Sequence, residues 1–138
     1  MIVTIVKADQ STIKDTTNRS IKVLGDKCNL NFIDTELIAN MSCMFNYSEF
    51  NGDISNWNVG NVTDMGHMFE RSEFNGDISN WNVENVIDMY SMFKYSKFNG
   101  DISSWNVENV ANMRYMFDGC PLESNKKFQP KFKKGAIS

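Results

Sequence analysis

Three carboxylates recur at one spacing: Asp53, Asp77 and Asp101 each take the fourth place of the hexapeptide FNGDIS, 24 residues apart. A row of acids could bridge a hard cation such as calcium, which binds through oxygen ligands. The other reading needs only the chain itself, since a carboxylate in a turn accepts local backbone N–H groups. Asn29 stands at the same place in the first turn, which weakens a metal row. The expectation is backbone hydrogen bonding, with no metal and no cofactor.

His67 is the only histidine, with Asp64 three residues before it. Its counterparts in the other turns are Cys43, Ser91 and Tyr115, so it belongs to a variable column, and Asp64 reads as a helix-start acid. No nucleophile–base–orienter set and no phosphate-binding glycine loop are present. Cys28, Cys43 and Cys120 are odd in number and lack a CxxC pair, which supports neither a disulfide framework nor zinc. The chain is not expected to be an enzyme.

The element that must position all these residues is a repeat. Phe50, Phe74 and Phe98 open nearly identical 24-residue blocks, with Trp57, Trp81 and Trp105 in step and Met-Phe pairs at 44–45, 68–69, 92–93 and 116–117. Counting back places an imperfect first turn at 26–49, before turns at 50–73, 74–97 and 98–121. Such a period implies stacked units that cannot bury their apolar sides alone. Eight of the nine Met residues fall in two columns and read as core filler.

Inside each turn the apolar period changes. Trp57 and Val59 alternate about Asn58, as in a short half-buried strand. Val62, Met65, Met68 and Phe69 then follow at helical spacing, with Asn61 as a candidate N-cap. The predicted fold class is therefore α/β, a leucine-rich-repeat-like solenoid. One short strand per turn, centred on 33–35, 57–59, 81–83 and 105–107, forms a parallel sheet with helices on the opposite side. The Asn-Gly pairs at 51–52, 75–76 and 99–100 suit turns with positive φ.

One domain is expected over 1–138: an N-terminal cap at 1–25, four repeat turns at 26–121, and a C-terminal cap with a basic tail at 122–138. Met1–Val6 reads as a β-rich run. Ile13, Thr17, Ile21 and Leu24 mark a helix at about 11–24 that Gly25 stops. Phe128 and Phe132 could cover the last coil.

The chain has 14 Lys and Arg against 17 Asp and Glu, yet Lys126, Lys127, Lys131, Lys133 and Lys134 crowd the tail. The rest is strongly acidic, so nucleic-acid binding by the solenoid body is not expected. The tail could touch an acidic partner or stay solvated. Met1–Val6 is too short for a secretory core or a membrane span, and a cytoplasmic chain without membrane contact is expected.

The blocks FNGDISNWNVGNVTDMGHMF, FNGDISNWNVENVIDMYSMF and FNGDISSWNVENVANMRYMF resemble the repeat of BspA-type leucine-rich-repeat proteins. These are known from Mycoplasma and other host-associated bacteria, mostly as surface proteins. The resemblance covers roughly residues 26–121 and implies a scaffold for protein contact, with adhesion in surface members. With no signal segment or lipoprotein anchor in view, an intracellular or phage-borne relative fits this chain better.

The expected function is a non-enzymatic protein–protein interaction module, monomeric or weakly oligomeric, with a protein partner of unknown identity. The alternatives are a small inhibitor or effector blocking a macromolecular target, or a surface adhesin. Two faces compete for the partner, and the strand face is the expected one, since a stacked sheet presents a rigid surface with similar positions in line. The strand face centres on Asn58, Asn82 and Asn106, flanked by Glu84 and Glu108; its asparagines could instead form a coil-to-coil ladder. The helix face carries Tyr90, Arg114 and Tyr115, within a set of positions that vary from turn to turn and includes Arg71, Lys94 and Tyr95.

Overall fold

Each 24-residue segment folds into a coil made almost wholly of turns, and consecutive coils lie one on the next in parallel. The computed structural model describes residues 4–138, so the start of the β-rich Met1–Val6 run lies outside the described residues. The regular elements are β1 (Val6–Lys7), α1 (Ile13–Leu24), β2 (Ile33–Asp34) and two 3-10 turns at Pro121–Glu123 and Lys126–Phe128. β1 pairs with β2 in parallel, Val6 opposite Ile33.

This corrects the expected fold class. Of the four predicted strands only the first exists, as Ile33–Asp34, because β1 lies beside it. Among the described residues α1 is the one α-helix, and it belongs to the N-terminal cap. The chain does not repeat a strand and a helix in each turn.

Backbone hydrogen bonds explain why. In the segments read as strands, N–H groups fold back inside their own coil: Trp57 donates to Ile54 at 3.1 Å and Val62 to Val59 at 3.0 Å. No ladder is left for a sheet there. In the segments read as helices, Met44 donates to Met41 at 3.3 Å and Ser48 to Phe45 at 3.2 Å. Such turns give apolar residues the three-residue spacing of a helix. Cys43 and Tyr47, at φ of 59° and 55°, prevent one from propagating.

The alternate N–H groups then point along the stack. Met41, Cys43, Phe45 and Tyr47 donate to Asp64, Gly66, Met68 and Glu70 at 2.9, 3.0, 2.8 and 2.8 Å. Parallel bridges continue this ladder through Asn40, Asp64, Asp88, Asn112 and Ile137. The coil-to-coil hydrogen bonding thus runs where helices were predicted.

The core consists of like side chains stacked in columns. Phe45, Phe69, Phe93 and Phe117 succeed one another at 5.6, 5.5 and 6.1 Å between ring centroids, nearly parallel. Phe50, Phe74 and Phe98 form a second column at 6.1 and 6.3 Å. Leu30, Ile54, Ile78 and Ile102 are buried beside them.

The Asn-Gly glycines are also corrected: Gly52, Gly76 and Gly100 do not take positive φ. Gly52 is required by close approach, since a Cβ there would collide with the carbonyl oxygen of Cys28 in the coil above.

Both ends are capped. Asp9 Oδ1 accepts the N–H groups of Ser11 and Thr12 ahead of α1, whose Ile13 and Thr17 are buried against the first coil. Gly25, at φ 94°, closes the helix with its N–H on the Ile21 carbonyl. At the other end Phe128 and Phe132 pack against the core, and Ile102 donates to the Phe128 carbonyl at 3.0 Å.

Candidate interaction surfaces

The residues read as a strand face stand instead at a turn corner. Asn58, Asn82 and Asn106 are exposed, and each Oδ1 accepts the N–H two residues on: Gly60 at 3.0 Å, Glu84 at 3.1 Å and Glu108 at 3.2 Å. This local closure is what Asn does in turns. The coil-to-coil asparagine bonds belong to other columns. Asn61, Asn85 and Asn109 donate through Nδ2 to the carbonyls of Glu36, Gly60 and Glu84 at 2.8, 2.7 and 2.7 Å. Asn61 is therefore an inter-coil clamp and not a helix cap. Glu84 and Glu108 are exposed beside the corner.

The aspartate row is occupied by the chain's own donors. Asp53, Asp77 and Asp101 each accept the N–H and the hydroxyl of the serine two residues on. The serine hydroxyl first, and then the serine N–H, hold each carboxyl below the usual aspartate range. Among the described residues no three His, Cys, Asp or Glu side chains are grouped to hold a metal. Burial raises the thiols of Cys28 and Cys120, which disfavours the reactive thiolate.

His67 is not a solitary surface histidine. Its Nδ1 meets Glu70 Oε2 at 2.5 Å, and its ring packs edge-on to Tyr90 at 5.1 Å. Asp64 is turned away from it, accepting the Gly66 N–H at 2.8 Å.

The face read as helical is a turn face, and its side chains form a cation–aromatic stack. Arg71 lies between Tyr47 and Tyr95, its guanidinium carbon 5.7 and 4.6 Å from the ring centroids. Lys94 sits over Tyr95 and Tyr115 at 5.4 and 5.0 Å. Arg114 lies 5.3 Å from the Tyr115 ring and donates to its hydroxyl at 3.2 Å, while Tyr90 meets Tyr115 edge-on.

Backbone conformation sets this alignment. Tyr47, Arg71, Tyr95 and Gly119 occupy one column, all at positive φ, as do Cys43, His67, Ser91 and Tyr115 in the next. A Cβ on Gly119 would collide with the Tyr95 ring, so that ring rests on bare backbone. Tyr47, Tyr95 and Tyr115 remain 67%, 49% and 39% exposed. Among the described residues the one Lys or Arg ion pair is Arg19–Asp15, so Arg71, Lys94 and Arg114 have no carboxylate partner.

The structure thus brings Tyr90, Arg114 and Tyr115 together and leaves Asn58, Asn82 and Asn106 in a separate line at the corner. Tyr47 joins the first group although its place in the imperfect first turn hid it.

The repeat pattern carried by this scaffold matches a family model over residues 14–131, that of the Mycoplasma proteins of unknown function, DUF285. The chain belongs to this family. No curated protein and no solved structure matches the chain. Membership spans all four coils and both columns of the turn face, and the family description leaves their function open. Among the described residues no helix is long and apolar enough to cross a membrane.

Proposed function

We propose that the chain is a non-enzymatic protein-interaction module that engages its partner through the turn face, centred on Arg71, Tyr95 and Tyr115. The observation that carries this reading is the Tyr47–Arg71–Tyr95 sandwich. These exposed side chains are held in line by the backbone of successive coils. Aromatic and arginine anchors dominate protein interfaces, and side chains ordered in advance lose less entropy on binding. The resemblance of the repeats to BspA-type proteins also points to protein contact. At the asparagine corner, Asn58, Asn82 and Asn106 have their oxygens engaged in local turns, which leaves fewer groups for a partner.

The test is capture from a lysate of the native host on immobilised protein, read by mass spectrometry. Parent, Tyr95→Ala and Asn82→Arg are compared after circular dichroism confirms that each is folded. A partner should be held by the parent and by Asn82→Arg. Tyr95→Ala should lose about thirtyfold in affinity, as for an anchor contributing about 2 kcal/mol. Loss confined to Asn82→Arg would move the contact to the asparagine corner. A parent that captures nothing reproducibly would remove the reading.

A further inference from the structure

We propose, resting on the turn face as the contact surface, that the partner presents an acidic segment, one of whose Asp or Glu carboxylates is gripped by the Arg71 guanidinium. That group is held by two rings, Tyr47 at 5.7 Å and Tyr95 at 4.6 Å from its central carbon. Among the described residues it makes no ion pair, and the one side-chain hydrogen bond given by an arginine is that of Arg114 to Tyr115. The fork of Arg71 is therefore oriented by its neighbours and open at its edge. A planar fork of this kind meets a carboxylate through two parallel hydrogen bonds.

The backbone fixes where the fork stands. The N–H groups of Tyr47, Arg71 and Tyr95 donate to Glu70, Lys94 and Asp118 in the coil that follows, each at 2.8 Å. The three residues have φ of 55°, 54° and 56°, a conformation that glycine adopts without steric cost and that Gly119 takes in the fourth coil. Tyr, Arg and Tyr keep this costly column occupied by long, exposed side chains. Strain of that kind at the surface points to the side chains, rather than the coil, as what is served.

Charge complementarity names the occupant. Arg71, Lys94 and Arg114 follow one another on successive coils without a carboxylate partner. Of the acids beside them in sequence, Glu70 is engaged by His67, while Glu73 and Asp118 pair with no cation. Arg71 and Lys94 both approach the Tyr95 ring, so their charges stand within about 10 Å of each other. Carboxylates two or three residues apart on an extended chain cover that span.

A strand of nucleic acid suits the face poorly. Binding of single strands stacks bases on open aromatic faces. Here the Tyr95 ring is covered by Arg71 and by the bare backbone of Gly119, and Arg71 also covers Tyr47. A net charge of −3 repels a phosphate at every nucleotide more than it repels a segment with two or three acids.

The test titrates the full chain, labelled with nitrogen-15, with a synthetic peptide of alternating Glu and Ser. Its Gln-for-Glu counterpart and a short oligouridylate are titrated in parallel. The Glu peptide should shift the Arg71 Nε–H and the amides of Lys94 and Tyr95. It should bind at least about tenfold tighter than the Gln peptide, as charge-assisted pairs do, and weaken as salt rises. Arg71→Gln should lose about tenfold in affinity, and Arg71→Lys should recover only part, since it keeps the charge without the fork. Circular dichroism checks that both are folded. Equal binding of the Glu and Gln peptides would overturn the proposal. So would a Glu peptide that shifts nothing on the turn face or only the lysine-rich tail, and so would tighter binding of the oligouridylate. A host partner that Tyr95→Ala loses and Arg71→Gln keeps would leave the turn face as the contact surface and overturn its acidic occupant.

Discussion

The indole N–H of Trp81 donates to the backbone carbonyl of Ile54 across 3.1 Å, tying the third coil to the second from within the core. Trp57 and Trp105 make the same bond to Leu30 and Ile78 at 2.9 and 3.0 Å. The column thus fills volume and brings a second donor to a carbonyl in each coil above it, one that already accepts a backbone N–H within its own coil. Trp81→Ala should cost about 3–5 kcal/mol, the range for deleting a buried aromatic. Trp81→Phe should recover part of that, since it restores packing but not the hydrogen bond. Urea unfolding midpoints measure both. An alanine variant with the parent's midpoint would show that the column contributes little.

Acid should weaken the protein through its aspartate row. Asp53, Asp77 and Asp101 have folded-state pKa values below their ordinary 3.8, through the hydroxyls and then the N–H groups of Ser55, Ser79 and Ser103. A depressed carboxyl stabilises the fold above the unfolded pKa, and that contribution is lost as pH falls through the folded value. The thermal midpoint should therefore decline as pH drops below about 4, and Ser79→Ala should flatten the decline. Because one oxygen of each carboxylate already accepts two of the chain's own donors, and no three such side chains are grouped among the described residues, adding a calcium chelator should leave the midpoint unchanged. A fall with chelator that calcium reverses would reinstate a metal row.

The repeat and the identity of its core columns are legible in the sequence, because burial recurs every 24 residues at Trp57, Trp81 and Trp105 and at the Phe and Met columns. The kind of backbone joining them is not. Successive three-residue turns give Met41, Met44 and Phe45 the spacing of a helix face, and the residues that forbid a helix, such as Cys43, His67, Ser91 and Tyr115, are neither Gly nor Asn. Nothing in their types announces a positive φ. In the same way Asn58 and Asn61 look alike, yet one closes its own turn while the other clamps the coil above. Of the turn face, Tyr90, Arg114 and Tyr115 were visible as variable residues on a repeating frame. Tyr47 was not, since its partners lie one and two coils away.

Glycine at position 52 should be far less replaceable than glycine at position 60. A Cβ on Gly52 would collide with the Cys28 carbonyl oxygen, a backbone atom that cannot move without its coil. On Gly60 the nearest atoms are the Asn58 Oδ1 at 3.1 Å and the Asn82 Nδ2 at 3.9 Å, both on exposed side chains. Gly52→Ala should cost about 1–3 kcal/mol, as overpacking does, whereas Gly60→Ala should stay within about 0.5 kcal/mol of the parent. Paired denaturation curves decide it, and equal costs would show that the coils separate more easily than their hydrogen bonds imply.

Thr17 offers the opposite case, a position where substitution should help. It is fully buried on the inner side of α1, and its hydroxyl has no hydrogen-bond partner. A buried hydroxyl left unpaired carries a desolvation cost that a methyl group of similar shape does not. Thr and Val have similar helix propensities, so the exchange leaves the backbone preference of α1 almost unchanged. Thr17→Val should therefore stabilise the protein by about 1 kcal/mol. Thr17→Ser keeps the hydroxyl and removes the methyl, and should destabilise it by about 1 kcal/mol. Thermal unfolding of the two variants reads the order directly. If serine is the more stable of the pair, the hydroxyl finds a partner in solution, and the helix carbonyl of Ile13 one turn earlier is the group within reach.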